Sequence, residues 1–149
     1  MTDVVARSVV RIERFIPAPA EQVFNAWLDP ASMARWLSPF GHAEADVDAR
    51  VGGRLRVAMV AAGIRIEHTG IYRELVPHRR LVFTWQSPYT GPDPSLVTVE
   101  LTARDAGTQL LLIHEFLPAE RVESHAGGWG TIVDRLASEL ERLSKEVAK

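Results

Sequence analysis

The last quarter of the chain carries a single apolar stripe at helical spacing, and it follows a long stretch that reads as β-strand. Trp129, Ile132, Val133, Leu136, Leu140, Leu143 and Val147 recur at the i, i+3, i+4, i+7 intervals of a helix with one buried face. Asp134, Arg135, Glu139, Glu141, Arg142, Lys145 and Glu146 occupy the other side. Such a stripe needs an apolar partner, and the only large partner in the chain is the sheet. A long helix laid across a curved sheet leaves space between them. Where side chains do not fill that space, it is a binding cavity.

The strand series is punctuated by turn residues. Ser8 to Ile16 reads as a first strand ended by Pro17. A helix then opens at Ala18-Pro19-Ala20-Glu21, with Pro19 suited to its first turn and Val23, Phe24, Trp27 and Leu28 as its apolar face. Asp29 caps a second short helix, with Pro30 at its first position, running to about Trp36. After a turn at Ser38-Pro39-Phe40-Gly41, strands are predicted over 43–48, 54–61, 64–76, 80–86, 96–104 and 108–117. Ala62-Gly63, Pro77-His78-Arg79 and Asp105-Ala106-Gly107 join them. Ser87 to Ser95 holds three prolines and a glycine and reads as an irregular loop. Sequential hairpins imply antiparallel pairing. The expected fold is α+β: a curved antiparallel sheet of six or seven strands around a long C-terminal helix, with two short helices after the first strand. With 149 residues and no repeat or composition shift, residues 1–149 read as one domain.

Composition excludes several classes. A formal net charge of −2 argues against a nucleic-acid binder. The absence of cysteine removes disulfides, thiolate catalysis and cysteine-ligated metal sites. His114-Glu115 lacks a second histidine at metalloprotease spacing, no other histidine pair is spaced i, i+4, and no Gly-x-Ser-x-Gly elbow is present. Neither a metal nor an organic cofactor is expected. The first ten residues contain Asp3 and Arg7 and are not expected to be a signal peptide, and the longest apolar stretch, around 57–64, is too short to span a bilayer, so no membrane insertion is expected. The expected location is the cytoplasm.

Strand alternation gives the inward residues. On 64–76 the less charged phase is Ile66, His68, Gly70, Tyr72 and Glu74, which leaves Glu67 and Arg73 outside. The other inward sets are Leu55, Val57, Met59; Leu81, Phe83, Trp85; Val97, Val99, Leu101; and Thr108, Leu110, Leu112, His114, Phe116. Gly70 is expected to admit a ligand or the helix. Trp129 meets these residues from the helix, and Trp36 closes one end. The candidate ligand-binding set is therefore Trp36, Met59, His68, Tyr72, Trp85, His114 and Trp129: an apolar wall with a few polar groups, as in small-molecule pockets. Trp36, Trp85 and Trp129 also serve as packing residues, and each polar member has a structural reading as a satisfied core or rim group. Gly127-Gly128 costs roughly 2 kcal/mol inside a helix, which close approach to the sheet or a loop would offset.

Several segments resemble those of a known family. They are Arg11-Ile12-Glu13-Arg14 with Pro17-Ala18-Pro19, Val23-Phe24-Asn25-Ala26-Trp27, Ala34-Arg35-Trp36 and Asp48-Ala49-Arg50-Val51-Gly52-Gly53. Further on come Gly70-Ile71-Tyr72-Arg73-Glu74, Arg80-Leu81-Val82-Phe83-Thr84-Trp85, Thr98-Val99-Glu100-Leu101-Thr102, Leu112-Ile113-His114-Glu115 and Gly128-Trp129. In order, they resemble the helix-grip fold of the START-like (SRPBCC) superfamily. More narrowly, they are similar to stand-alone bacterial proteins of the activator of Hsp90 ATPase homologue family. The resemblance implies a START-like domain with a hydrophobic cavity. Hsp90 contact is not expected to follow from it, because no counterpart of the separate N-terminal domain of the eukaryotic co-chaperones is expected before the first strand.

Three functional readings follow: a carrier or sensor of a small hydrophobic or aromatic molecule; a polyketide-cyclase-like enzyme using His68, Tyr72 or His114 as acid or base; and a chaperone or protein-interaction module. The absence of a dense polar constellation favours the first. Monomer and homodimer are both compatible with the chain.

Overall fold

The computed structural model describes residues 9–148, with side chains through residue 145. Its elements are β1 (Val10–Ile16), α1 (Ala20–Ala26), α2 (Pro30–Trp36), β2 (His42–Val47), β3 (Arg54–Ala61), β4 (Ile64–Val76), β5 (Arg80–Trp85), β6 (Ser95–Arg104), β7 (Gly107–Glu115), a 3-10 turn (Ala119–Arg121) and α3 (Val122–Ala148). The seven strands form one sheet in the order β1-β7-β6-β5-β4-β3-β2. All pairs are antiparallel. The sheet curls around α3 in the expected helix-grip arrangement.

The helix stripe is buried as its periodicity requires. Trp129, Ile132, Val133, Leu136 and Leu140 are at most 4% exposed, and Leu143 is partly buried. Val147 and Glu146 have side chains outside the described residues. The helix starts seven residues before Trp129, and Val122 and Ala126 pack against the core from this added segment. The glycine pair conceals that start, since two glycines inside a helix argue against one locally.

Two polar residues of the supposed solvent face have specific work. Arg135 donates to three backbone carbonyls: Ser38, Arg35 at 3.0 Å and Gly41 at 3.0 Å. It thereby fixes the end of α2 and the turn that follows. Glu139 pairs with Arg142 at 3.1 Å and Arg35 at 3.2 Å. Asp29 caps α2 by accepting from the Ala31 amide at 3.0 Å, with Pro30 at the first helical position as expected. Pro19 sits one place earlier than expected, at the N-cap of α1 rather than in its first turn.

Two inward assignments and the role of one glycine are corrected. In β4 the pairing with β5 shifts between Tyr72 and Glu74, so Arg73 is an extra residue and the alternation reverses after it. Glu74 consequently faces out and pairs with Arg80 at 3.3 Å, while Leu75 packs against the core. Before the bulge the expected phase holds: His68 and Tyr72 are buried, and Glu67 lies on the outer face with Arg56 and Arg65. At the end of β7, Phe116 takes a left-handed conformation at φ 65° and is 67% exposed; Leu117 turns inward instead. Gly70 admits neither ligand nor helix. A Cβ there would lie 1.9 Å from the Thr84 carbonyl oxygen, so the glycine permits the close passage of β5.

Leu136 is fully buried at mid-stripe. Leu136→Ala is expected to lower unfolding free energy by about 2–5 kcal/mol. A urea-melt loss below about 0.5 kcal/mol, the scale of a surface substitution, would contradict that burial. A Cβ added to Gly127 meets nothing within 4 Å, and one on Gly128 meets only Pro39 at 3.9 Å. Close approach therefore does not explain the pair. Gly127→Ala is expected to stabilise the protein by roughly 0.5–1 kcal/mol, readable as a rise in Tm.

Candidate functional site

The stripe of α3 and the concave face of the sheet meet around four linked side chains. Trp129 Nε1 donates to His114 Nδ1 at 2.9 Å. An indole N–H can only donate, so Nδ1 is the acceptor and the proton of neutral His114 resides on Nε2. Nε2 lies 2.7 Å from Ser95 Oγ and donates to it, and Ser95 in turn donates to the Trp85 carbonyl. The series runs from α3 through β7 and β6 to β5, with every donor and acceptor used once. Burial pushes the His114 imidazole down to about 3. It is a neutral structural group whose proton is committed.

Above this series lies a cavity of about 290 Å³. Met59, Ile66, His68 and Trp85 line it from the sheet, and Gly128, Trp129 and Ile132 from α3. Pro39 and Phe40, held by the turn that Arg135 anchors, close one side. Tyr89, Arg121, Ser124 and His125 form the mouth. His68 stacks on Trp85 with ring centroids 4.5 Å apart. Its Nδ1 lies 3.3 Å from the Val57 carbonyl, which requires a proton on Nδ1 and leaves Nε2 as the acceptor in the neutral ring. Burial lowers its pKa to about 4, against the weaker opposing effect of the Val57 carbonyl.

Four of the seven candidate residues line this cavity: Met59, His68, Trp85 and Trp129. The other three lie outside its lining. Trp36 is fully buried, packs edge-on against Trp27 at 4.7 Å and donates to Ser32 Oγ at 3.0 Å. Tyr72 sits against Phe83 at 6.2 Å and is 1% exposed. His114 is covered by Trp129, whose indole bonds to it. Strand phase predicts which residues point inward, but not which inward residues are roofed by a larger neighbour. The mouth residues were missed for another reason: the segment before Trp129 carries no helical stripe. Tyr89 brings the 87–95 loop to the opening. That loop is held by its own side chains: the Ser87 amide donates to Thr90 Oγ1 at 3.0 Å, and the Tyr89 amide to Ser87 Oγ at 3.0 Å.

This architecture, a seven-stranded curled sheet gripping one long helix, defines a START-like protein. The sequence profile of the activator of Hsp90 ATPase homolog 1-like proteins matches residues 17–141, and the chain belongs to that family. Solved structures agree. A Chromobacterium violaceum protein is 31% identical with a TM-score of 0.80, over 90% of this chain and 97% of the other. A protein in the dynemicin biosynthetic locus is 29% identical with a TM-score of 0.73, over 90% of this chain and 47% of its own length. The solution structure of an AHSA1-like protein from Aeromonas hydrophila has the same fold at 24% identity, with a TM-score of 0.77 over 91% of this chain and 94% of that one. A comparison with curated proteins finds no match.

The two buried histidines make stability sensitive to mild acid. Both are neutral when folded and have pKa values below the ordinary 6.5, so the unfolded chain binds more protons between pH 6.5 and about 4. Stability is therefore greatest above pH 6.5 and falls as pH drops through that window. Between pH 7 and pH 5 the combined loss is expected to be about 4 kcal/mol. Glu67, bonded to Arg65, and Glu139, bonded to Arg142, have lowered pKa values and act below that range. Urea melts at pH 7 and pH 5 check this; equal stabilities would mean that the histidines are hydrated when folded.

Proposed function

We propose that this protein binds a small hydrophobic or aromatic molecule in the cavity between α3 and the sheet, and acts as its carrier or sensor. The observation that carries this reading is a mostly apolar cavity of about 290 Å³ walled by Trp85 and Trp129, with the hydrogen-bonded series of Trp129, His114 and Ser95 closed on itself behind it. The volume lies at the small end of the range for ligand pockets and suits one or two fused rings. Aromatic walls give a flat ligand large contact area and offset or edge-to-face ring contacts. The similarity to a protein in a biosynthetic locus fits a small-molecule ligand. His114 supplies neither acid nor base in this reading, because its one proton serves Ser95.

Titration of tryptophan fluorescence with the neutral probe 2-naphthamide tests the proposal. Wild type is expected to bind saturably. Met59→Trp and Gly128→Leu, which place bulk inside the cavity, are each expected to weaken binding by about tenfold or more, equivalent to about 1.4 kcal/mol. Gly128→Leu also replaces a helix glycine by a good helix former, so lost binding with an unchanged or higher Tm separates blocking from unfolding. Binding indifferent to both substitutions, or no binding of either 2-naphthamide or its acid analogue 2-naphthoate to wild type, would remove the cavity from consideration.

A further inference from the structure

The cavity has chemically distinct ends. Its interior is aromatic and aliphatic, while its mouth holds Arg121. The Arg121 guanidinium carbon stands 5.2 Å over the Tyr89 ring centroid, so the 3-10 turn and the 87–95 loop touch across the opening. A cation–π contact uses the charge of the guanidinium, not its N–H donors, and leaves the donors available. Arg121 makes no ion pair with a carboxylate among the described residues. The lining contains one guanidinium, two imidazoles and no carboxylate; the neighbouring Glu120 and Glu123 are exposed and outside it. Ser124 Oγ and the His125 Nδ1 proton are both directed at the Arg121 carbonyl, at 3.1 and 2.8 Å. These contacts hold the backbone from which the arginine projects. The same opening lies at the N-terminal end of the 27-residue α3, where the aligned peptide dipoles favour negative charge.

Resting on the ligand-binding reading above, we infer that the ligand is an aromatic or hydrophobic carboxylic acid, oriented with its ring system between Trp85 and Trp129 and its carboxylate at Arg121. Arg121 is thus a specificity-determining residue. The planar fork of a guanidinium matches the two oxygens of a carboxylate. The one titratable group of the interior, His68, is held neutral by burial with Nε2 as an acceptor, so the guanidinium at the mouth is the better partner for the charge and the acid enters ring-first. Tyr89 serves as the platform that keeps the guanidinium over the mouth.

Paired titrations with 2-naphthoate and its neutral isostere 2-naphthamide test the inference by calorimetry and tryptophan fluorescence. Wild type is expected to prefer the acid by about tenfold, as for a partly solvated charge-assisted hydrogen bond. Arg121→Gln is expected to erase that preference by weakening 2-naphthoate far more than 2-naphthamide, and Arg121→Lys to restore part of it. The side chain is exposed, and an unchanged Tm checks that the variants fold. Equal binding of both compounds by wild type, or a preference that survives Arg121→Gln, overturns the carboxylate assignment and leaves the ligand-binding reading intact. Failure of both compounds to bind overturns both.

Discussion

The contact on which the arrangement depends is the hydrogen bond from Trp129 to His114. It joins the first residue of the helix stripe to the strand lying between β1 and β6. From there Ser95 carries the connection to the backbone of β5. Dispersion and hydrophobic burial drive α3 onto the sheet but do not by themselves set its rotation or depth. A directional bond between two buried side chains does. Ring contacts around it follow: Trp129 lies 5.5 Å from Trp85 and 6.3 Å from Trp27. Because every member is satisfied, the network adds specificity without leaving an uncompensated polar atom along its path. Removing His114 would leave an indole donor and a serine acceptor stranded in the core.

A second set of interactions works on the opposite face of the sheet. Arg56 links Asp46 and Glu67, Arg65 links Glu44 and Glu67, and Arg80 links Glu74 and Glu100. These are exposed pairs, each worth at most about 1 kcal/mol. Their value is in register, since each arginine reaches across strands and a one-residue slip would place like faces together. Charge on that face keeps the outer surface hydrated while the inner face remains apolar. Over β3 and the first half of β4 the phase is constant, with the charged residues outside beside Ala58 and Val60. It inverts only where the bulge at Arg73 moves Glu74 outward.

Periodicity made the fold legible because both of its repeating patterns are long. Seven stripe residues specify one buried helical face, and β3, β5 and β6 alternate without interruption on the inner side. Legibility failed where the pattern was local or broken. The bulge at Arg73 has no marker in the sequence, and Phe116 is a bulky residue in a conformation that glycine normally takes. The site was readable to the depth of one layer. Alternation correctly turned His68, Tyr72, Trp85 and His114 inward, yet Tyr72 and His114 sit behind other rings, and no one-dimensional pattern encodes which side chain overlies which. The mouth was legible only through its loop. Arg121 and His125 precede the recognisable stripe, where the two glycines interrupt helical character.

Apart from Trp129, which belongs to both, the His114 network stands behind the cavity wall, and this largely separates two tasks that many binding sites combine. Met59, Ile66, Phe40 and Ile132 touch the cavity through apolar atoms and hold no hydrogen bond of the framework through their side chains. Substituting them alters volume and shape locally, at the cost of ordinary repacking. The scaffold that registers helix against sheet is untouched. A lineage of such proteins can therefore drift from one ligand shape to another through single replacements, without first acquiring stabilising changes elsewhere. Volume-conserving exchanges at these four positions are expected to keep the fold, at a cost below about 1.5 kcal/mol each.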